Sequence, residues 1–277
     1  MRIIQITDTH LSPAKTHFNG NWRPLAEWIE AQQPDLVIHT GDLALDGADI
    51  ENDLVFSMQL MTELRFPLLI VPGNHDVGHM PGSAQPMNAE RLQRWRRLVG
   101  PDEWVHDTKN WRFIGINSLT LGSNPEAELQ QFDWSKNALA GAGTRRIAMF
   151  AHKPLFVDEP NEGDTGYWSV RPSARQHLRD LIAAHDVALF ASGHLHRAWI
   201  GKLGSTKLAW APAAAFIVGP MERDMPGERI VGAMVHTLGD DVHTEIVQIK
   251  GMTPFLLDDV MDEVYPRAKP AVDKAVS

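Results

Sequence analysis

Eight polar residues follow directly on five short apolar runs. "RIIQI" leads into Thr7-Asp8-Thr9-His10, "DLVIH" into Thr40-Gly41-Asp42, and "PLLIV" into Pro72-Gly73-Asn74-His75-Asp76. Further on, "RIAMF" ends at Ala151-His152-Lys153-Pro154 and "VALFA" at Ser192-Gly193-His194-Leu195-His196. Taken singly these residues are uninformative, because a lone His after a strand is more often a hydrogen-bonded structural residue. His39, His106, His177, His185, His236 and His243 read that way, and His17 and His79 read as surface residues. Taken together, two carboxylates, one amide and four or five imidazoles form a set of metal donors. One divalent ion needs three or four of them; two ions would use nearly all, with one carboxylate bridging. Two ions about 3.5–4 Å apart form a clamp for phosphoryl transfer. With no cation present, so many converging imidazoles and carboxylates would be hard to bury.

The elements that must position these groups are legible from hydrophobic patterning. Continuous apolar runs bounded by turn residues predict strands buried on both faces, and sites in such sheets form at the strands' C-terminal edge. Apolar residues at helical spacing predict helices over 22–33, 53–64, 91–99 and 173–185, the last opening on a Ser173/Gln176 capping-box pattern. Residues 111–118 read as a further strand, and the β-rich pattern after His196 predicts a second sheet packed on the first. The loops 77–88 and 156–173 each follow a site strand and could line a pocket.

The bulk properties narrow the function classes. With 277 residues the chain can bury a sizeable core, and with no cysteine it can form neither a thiolate metal site nor a cysteine nucleophile. The formal net charge of −9 argues against a nucleic-acid polymer or an anionic membrane as partner. The opening MRIIQITDTH lacks the long apolar stretch of a signal peptide, which predicts a cytoplasmic protein. A single domain is expected over 1–250, then a C-terminal helix and tail over 251–277. The sequence leaves the oligomeric state open, a homo-oligomer included.

In this order, D-x-H, G-D, G-N-H-D, a lone H and G-H-x-H resemble the calcineurin-like metallophosphoesterases, over residues 1 to about 200. The resemblance implies an α/β fold, a two-sheet β-sandwich flanked by helices (αββα), with a dinuclear metal site at the strand C-terminal ends. It implies one ion held by Asp8, His10, Asp42 and His196, and a second by Asp42, Asn74, His152 and His194, with Asp42 bridging. The ligand set suits two divalent ions drawn from Mn, Fe, Zn, Co or Ni. A metal-bridging hydroxide would attack phosphorus in line while His75 assists the leaving oxygen. Asp76 would orient His75 or the loop backbone, and Gly73 would permit a tight turn. Asn74, His75, Lys153, Tyr167 and Trp168 are candidate substrate contacts.

Within that family, "LALDG" after Gly41-Asp42 replaces the arginine-containing pattern of the Ser/Thr protein phosphatases. G-N-H-D replaces G-N-H-E, and no tyrosine stands beside Asp8 or Asp42. The chain is most similar to the bacterial cyclic-nucleotide and glycerophosphodiester phosphodiesterases of class III type. The expectation is a phosphodiesterase acting on a small phosphodiester, with no polymer and no membrane as partner. A phosphomonoesterase of the same family is the alternative, and a non-catalytic scaffold of this fold ranks below it.

Overall fold

Apolar runs without alternation have two faces to bury, and the protein covers both. A computed structural model describes residues 1–220 and 224–265. The chain begins β1 (Arg2–Ile6), α1 (Trp22–Gln32), β2 (Leu36–His39), α2 (Glu51–Met61), β3 (Leu68–Ile70), α3 (Asn74–Val77) and α4 (Ala89–Leu98). It continues with β4 (Trp104–Asp107), β5 (Trp111–Gly115), α5 (Pro125–Ala140), β6 (Arg146–Phe150), α6 (Pro172–Ala184) and β7 (Leu189–Ser192). Then follow β8 (Trp199–Leu203), β9 (Thr206–Trp210), β10 (Phe216–Ile217), β11 (Gly232–Leu238), β12 (Val242–Gln248), β13 (Phe255–Leu256) and α7 (Leu257–Val264).

Two mixed sheets stack face to face. One has the order β12-β11-β1-β2-β3 and the other β4-β5-β6-β7-β9-β8. Within them β1, β2 and β3 are mutually parallel, as are β5, β6, β7 and β9. Side chains alternate between faces. Ile3, Ile38, Phe113, Phe150 and Ala191 fill the space between the sheets. Ile4, Ile6 and Val37 pack outward against Leu25 and Ile29 of α1 and Leu54 of α2. On the far side, Ile147, Met149 and Phe190 pack against Leu139 of α5 and Leu178 and Ile182 of α6. The result is four layers, helices on both outer faces of a sandwich, as expected.

The partition of strands differs from the expectation that the region after His196 makes its own sheet. β8 and β9 complete the second sheet, whereas β11 and β12 return to flank β1 in the first. The pairing β1–β11 joins residues far apart in sequence, which local patterning cannot register. A helix was also missed: α5 buries Gln131 and Ser135 beside Ala138 and Leu139, so polar residues interrupt the apolar stripe of its inward face. At α6 the N-cap is Arg171 with Pro172 at the first turn, and no side chain caps it. The proposed Ser173/Gln176 capping box therefore does not form. The C-terminal segment docks rather than trailing away: β13 pairs with β10 and leads into α7. The tail from 266 onward lies outside the described residues. Among the described residues no helix is long and apolar enough to cross a membrane.

One polar stitch runs through the inter-sheet core. Gln5 donates through Nε2 to Thr40 Oγ1 (2.9 Å) and to the Ser192 carbonyl of the facing sheet (3.0 Å). Its Oε1 accepts from His236 Nε2 at 3.0 Å, and His236 Nδ1 meets Thr244 Oγ1 at 3.0 Å. Burial, with the charge of Lys207 adding to it, pulls His236 from 6.5 down to about 3. As pH falls through 6.5 the unfolded chain takes up a proton that the folded chain refuses until about 3, so this group's contribution to stability is lost across that window. Chemical denaturation should show lower stability at pH 5 than at pH 7, and His236→Gln should make that difference smaller. An unchanged pH difference in the variant would contradict this assignment.

Candidate metal centre

Backbone conformation brings the strand-end residues together. Asp8, His10, Asp42, His194 and His196 have φ of +52°, +42°, +52°, +73° and +51°. The left-handed region costs a non-glycine residue about 1 kcal/mol or more, and among the described residues only Gln33 and Asp186 share it elsewhere. Main-chain hydrogen bonds hold the strained loops to one another: Asp8 N–H to Gly41 O (2.9 Å), His10 N–H to Asp42 O (3.1 Å) and Ala215 N–H to Asp8 O (2.9 Å). Gly73 serves close approach rather than a tight turn. Its φ is −106°, but a Cβ there would lie 2.1 Å from Asp42 N and 2.2 Å from Asp42 Oδ1.

Each carboxylate is tied at one oxygen and turned inward at the other. Asp8 Oδ2 accepts from Thr7 Oγ1 (2.7 Å) and His194 N–H (3.0 Å), while Asp8 Oδ1 is buried and makes no hydrogen bond. Asp42 Oδ1 accepts from His75 N–H at 2.8 Å. Asp42 Oδ2 lies 3.4 Å from His152 Nε2 and 3.8 Å from His10 Nε2, between the two halves of the site. The Asn74 amide oxygen lies 3.1 Å from His152 Nε2, and its Nδ2 donates to Tyr167 Oη at 3.0 Å.

The imidazoles follow the same rule. A carbonyl can only accept, so the ring nitrogen facing it carries the proton. His152 Nδ1 donates to Thr40 O (2.8 Å), His194 Nε2 to Tyr167 O (2.9 Å), His196 Nδ1 to Phe216 O (2.8 Å) and His75 Nδ1 to Leu45 O (3.0 Å). Their other nitrogens turn into the site. His152 Nε2 and His194 Nδ1 stand 3.1 Å apart, and His196 Nε2 and His10 Nε2 stand 3.4 Å apart. Ring nitrogens turned on one another and an unpartnered buried carboxylate oxygen are what divalent cations would satisfy, so the residues fit a metal centre. Donor atoms fall into three close groups: Asp8, His10 and His196; Asp42, His152 and His194; and His10, Asp42 and His75.

The electrostatics are those of a site short of positive charge. Burial alone would raise both carboxyls. The surrounding imidazoles, led by His196 at Asp8 and by His152 at Asp42, hold both well below the usual carboxylate value. Burial lowers His152, but Asp42 and then Asp8 outweigh it and bring the ring to about 9. His39, by contrast, is a satisfied structural histidine: Nδ1 accepts Gly41 N–H and Nε2 meets Thr9 Oγ1. Burial pulls it down to about 4.

A cavity of about 390 Å³ opens over these donors, with Asp42, His75, His194 and His196 in its lining and Tyr167, Trp168, Phe216, Met261 and Tyr265 around it. Of the expected substrate contacts, His75, Tyr167 and Trp168 line it. Asn74 and Lys153 do not; the buried Nζ of Lys153 turns to His79 Nε2 at 3.2 Å. His79 is not a surface residue. It is buried and stacks on Tyr167 with ring centroids 4.6 Å apart. Its place in a Gly- and Pro-rich loop directly after G-N-H-D was the available signal. Tyr265 was also missed. It enters from the end of α7, where no motif marks it, and its Oη lies 3.2 Å from His10 Nδ1. His17 is on the surface, 2.9 Å from Glu263.

Asp76 does not reach the His75 ring or the cavity. Its wholly buried carboxylate accepts N–H groups from Gly73 (2.8 Å), Leu43 (3.1 Å) and Ala44 (3.0 Å), locking the Gly-Asp loop to the Gly-Asn-His-Asp turn. It holds loop backbone and does not line the cavity. Removing it leaves three buried donors without acceptors, each an appreciable penalty. Asp76→Ala should lower unfolding stability by about 3 kcal/mol and weaken uptake of divalent ions. Denaturation and metal titration check this; wild-type values in both would refute the positioning role.

The sequence profile of the calcineurin-like phosphoesterase family matches residues 1–198. The chain is 29% identical over 171 residues to the human serine/threonine-protein phosphatase CPPED1, a match covering 60% of this chain and only 52% of that protein. It is 26% identical over 242 residues to a probable cyclic nucleotide phosphodiesterase of Synechococcus sp., covering 82% of this chain and 83% of that one. Among solved structures, the purple acid phosphatase PPD1 of yellow lupin shares the fold with a TM-score of 0.64 at 15% identity, over 86% of this chain and 49% of that one. From its motifs, its four-layer fold and the profile match, the chain belongs to the calcineurin-like phosphoesterase family.

Proposed function

We propose that the protein is a metal-dependent phosphodiesterase acting on a small phosphodiester with a bulky organic group. The carrying observation is the cavity. Among the described residues its lining has, beyond the metal-facing Asp42 and the imidazoles, aromatic and apolar walls, one further carboxylate at Asp258 and no lysine or arginine. A monoester dianion calls for cationic side chains to clamp it. A diester monoanion with an organic substituent suits aromatic walls. The Synechococcus relative, described as a probable cyclic nucleotide phosphodiesterase, supports the same reading. The phosphatase named among the relatives favours the second reading, a phosphomonoesterase.

Asp8, His10, Asp42 and His196 would hold one divalent ion and Asp42, Asn74, His152 and His194 a second, with Asp42 shared. Such ions supply Lewis-acid polarisation of the phosphoryl group and a water acidic enough to deprotonate near neutral pH. The protein's own groups do the rest. Asn74 contributes a neutral oxygen and adds no negative charge. His75 has its Nδ1 proton fixed on Leu45 O and its backbone N–H on Asp42, which turns Nε2 toward the cavity. In its protonated form that nitrogen donates to the departing ester oxygen. Tyr167 and Trp168 hold the organic group and exclude water.

The direct test is a paired assay on chelator-stripped protein restored with Mn²⁺. Hydrolysis of bis(p-nitrophenyl) phosphate should exceed that of p-nitrophenyl phosphate and vanish without metal; a monoester preference would replace this reading with the second. His75→Ala should reduce kcat by about 10²–10⁴-fold with metal content unchanged. Undiminished turnover in that variant would remove His75 from the reaction.

A further inference from the structure

Four of the five site imidazoles park their outer proton on a main-chain carbonyl, and His10 is the exception. Among the described residues its Nδ1 meets the Tyr265 phenol oxygen, at 3.2 Å. His10 Nε2 faces Asp8 Oδ1 at 3.9 Å, Asp42 Oδ2 at 3.8 Å and His196 Nε2 at 3.4 Å. We infer that Tyr265 is a positioning residue for the metal centre: its oxygen accepts the Nδ1 proton of His10, which fixes the ring and leaves the Nε2 lone pair for the ion shared with Asp8, Asp42 and His196. This rests on the dinuclear reading of the site, not on the identity of the substrate.

The segment that delivers Tyr265 is built into the fold. β13 pairs in parallel with β10, Phe216 opposite Phe255 and Ile217 opposite Leu256. Leu257 and Val264 are buried against Phe18, Leu45 and Ala215. Lys15 Nζ donates to the Val264 carbonyl at 2.5 Å, fixing the helix end next to Tyr265. β10 is also the strand whose Phe216 carbonyl holds His196. One small ribbon-and-helix unit thus orients both imidazoles of one ion, whereas Thr40 and Tyr167 carbonyls orient the two of the other. This unit lies beyond the 1–198 region that matches the family. Partners of this kind are typically worth 10–100-fold in metal affinity, and the asymmetry makes the effect selective for one ion.

Tyr265→Phe removes the hydroxyl and keeps the ring, whose centroid lies 5.0 Å from that of His75. Metal-free protein would be titrated with Co²⁺, following both binding events and the visible d–d spectrum, and its melting temperature measured. Glu263→Gln, an exposed change on the same helix, is the control. The expected result is one Co²⁺ event weakened about 10–100-fold with an altered spectrum, the other event unchanged, and an unchanged melting temperature of the metal-free protein. Two unchanged events would overturn the inference. So would equal weakening of both events with a lower melting temperature, or the same loss in Glu263→Gln, since either would mark a general effect of the helix. Wild-type protein that binds fewer than two Co²⁺ ions would overturn the dinuclear reading and this inference together. Two bound ions without diester hydrolysis would overturn only the phosphodiesterase reading.

Discussion

Buried ring nitrogens that face one another govern the arrangement around them. His152 Nε2 and His194 Nδ1 point together across 3.1 Å because each ring's remaining nitrogen is committed to a carbonyl behind it. The four carbonyls that hold site imidazoles come from three segments, the connection after β2 (Thr40 and Leu45), the loop before α6 (Tyr167) and strand β10 (Phe216), so none of these can shift without turning a donor away. The carboxylates obey the same logic, one oxygen tied to protein N–H or O–H and the other turned in. Such a centre is unfavourable in isolation and becomes stable when a cation fills it.

The sandwich supplies the rigidity this demands. Parallel strands covered on both faces end along one edge, which is where α/β sheets place their sites. Gly73 lets the third loop press against Asp42, closer than any side chain would allow, and Asp76 then bonds across both loops. Left-handed backbone at five site residues is retained because neighbouring main-chain hydrogen bonds determine it from several sides. Between the sheets, Gln5 and His236 fix the register of β1, the strand that leads to Asp8 and His10.

Much of this was legible in the sequence. Strands buried on both faces leave continuous apolar runs, and metal donors are restricted to a few residue types, so strand ends and donors could be read together. What escaped depended on information that is not local. α5 hides behind an inward face of Gln131 and Ser135. The return of β11 and β12 to the first sheet is a long-range pairing with no local signature. Lys153 and His79 stand beside motifs, yet it was their contact with each other that decided where both point. Tyr265 reaches His10 only because a strand pair and a short helix carry it there.

In the dinuclear arrangement proposed above, two divalent ions share Asp42. Crystals grown with Mn²⁺ and measured for anomalous scattering test it directly. Two peaks are expected about 3.5–4 Å apart, with Asp42 between them, Asp8, His10 and His196 around one, and Asn74, His152 and His194 around the other. A single peak, or two with Asp42 bound to only one, would contradict it.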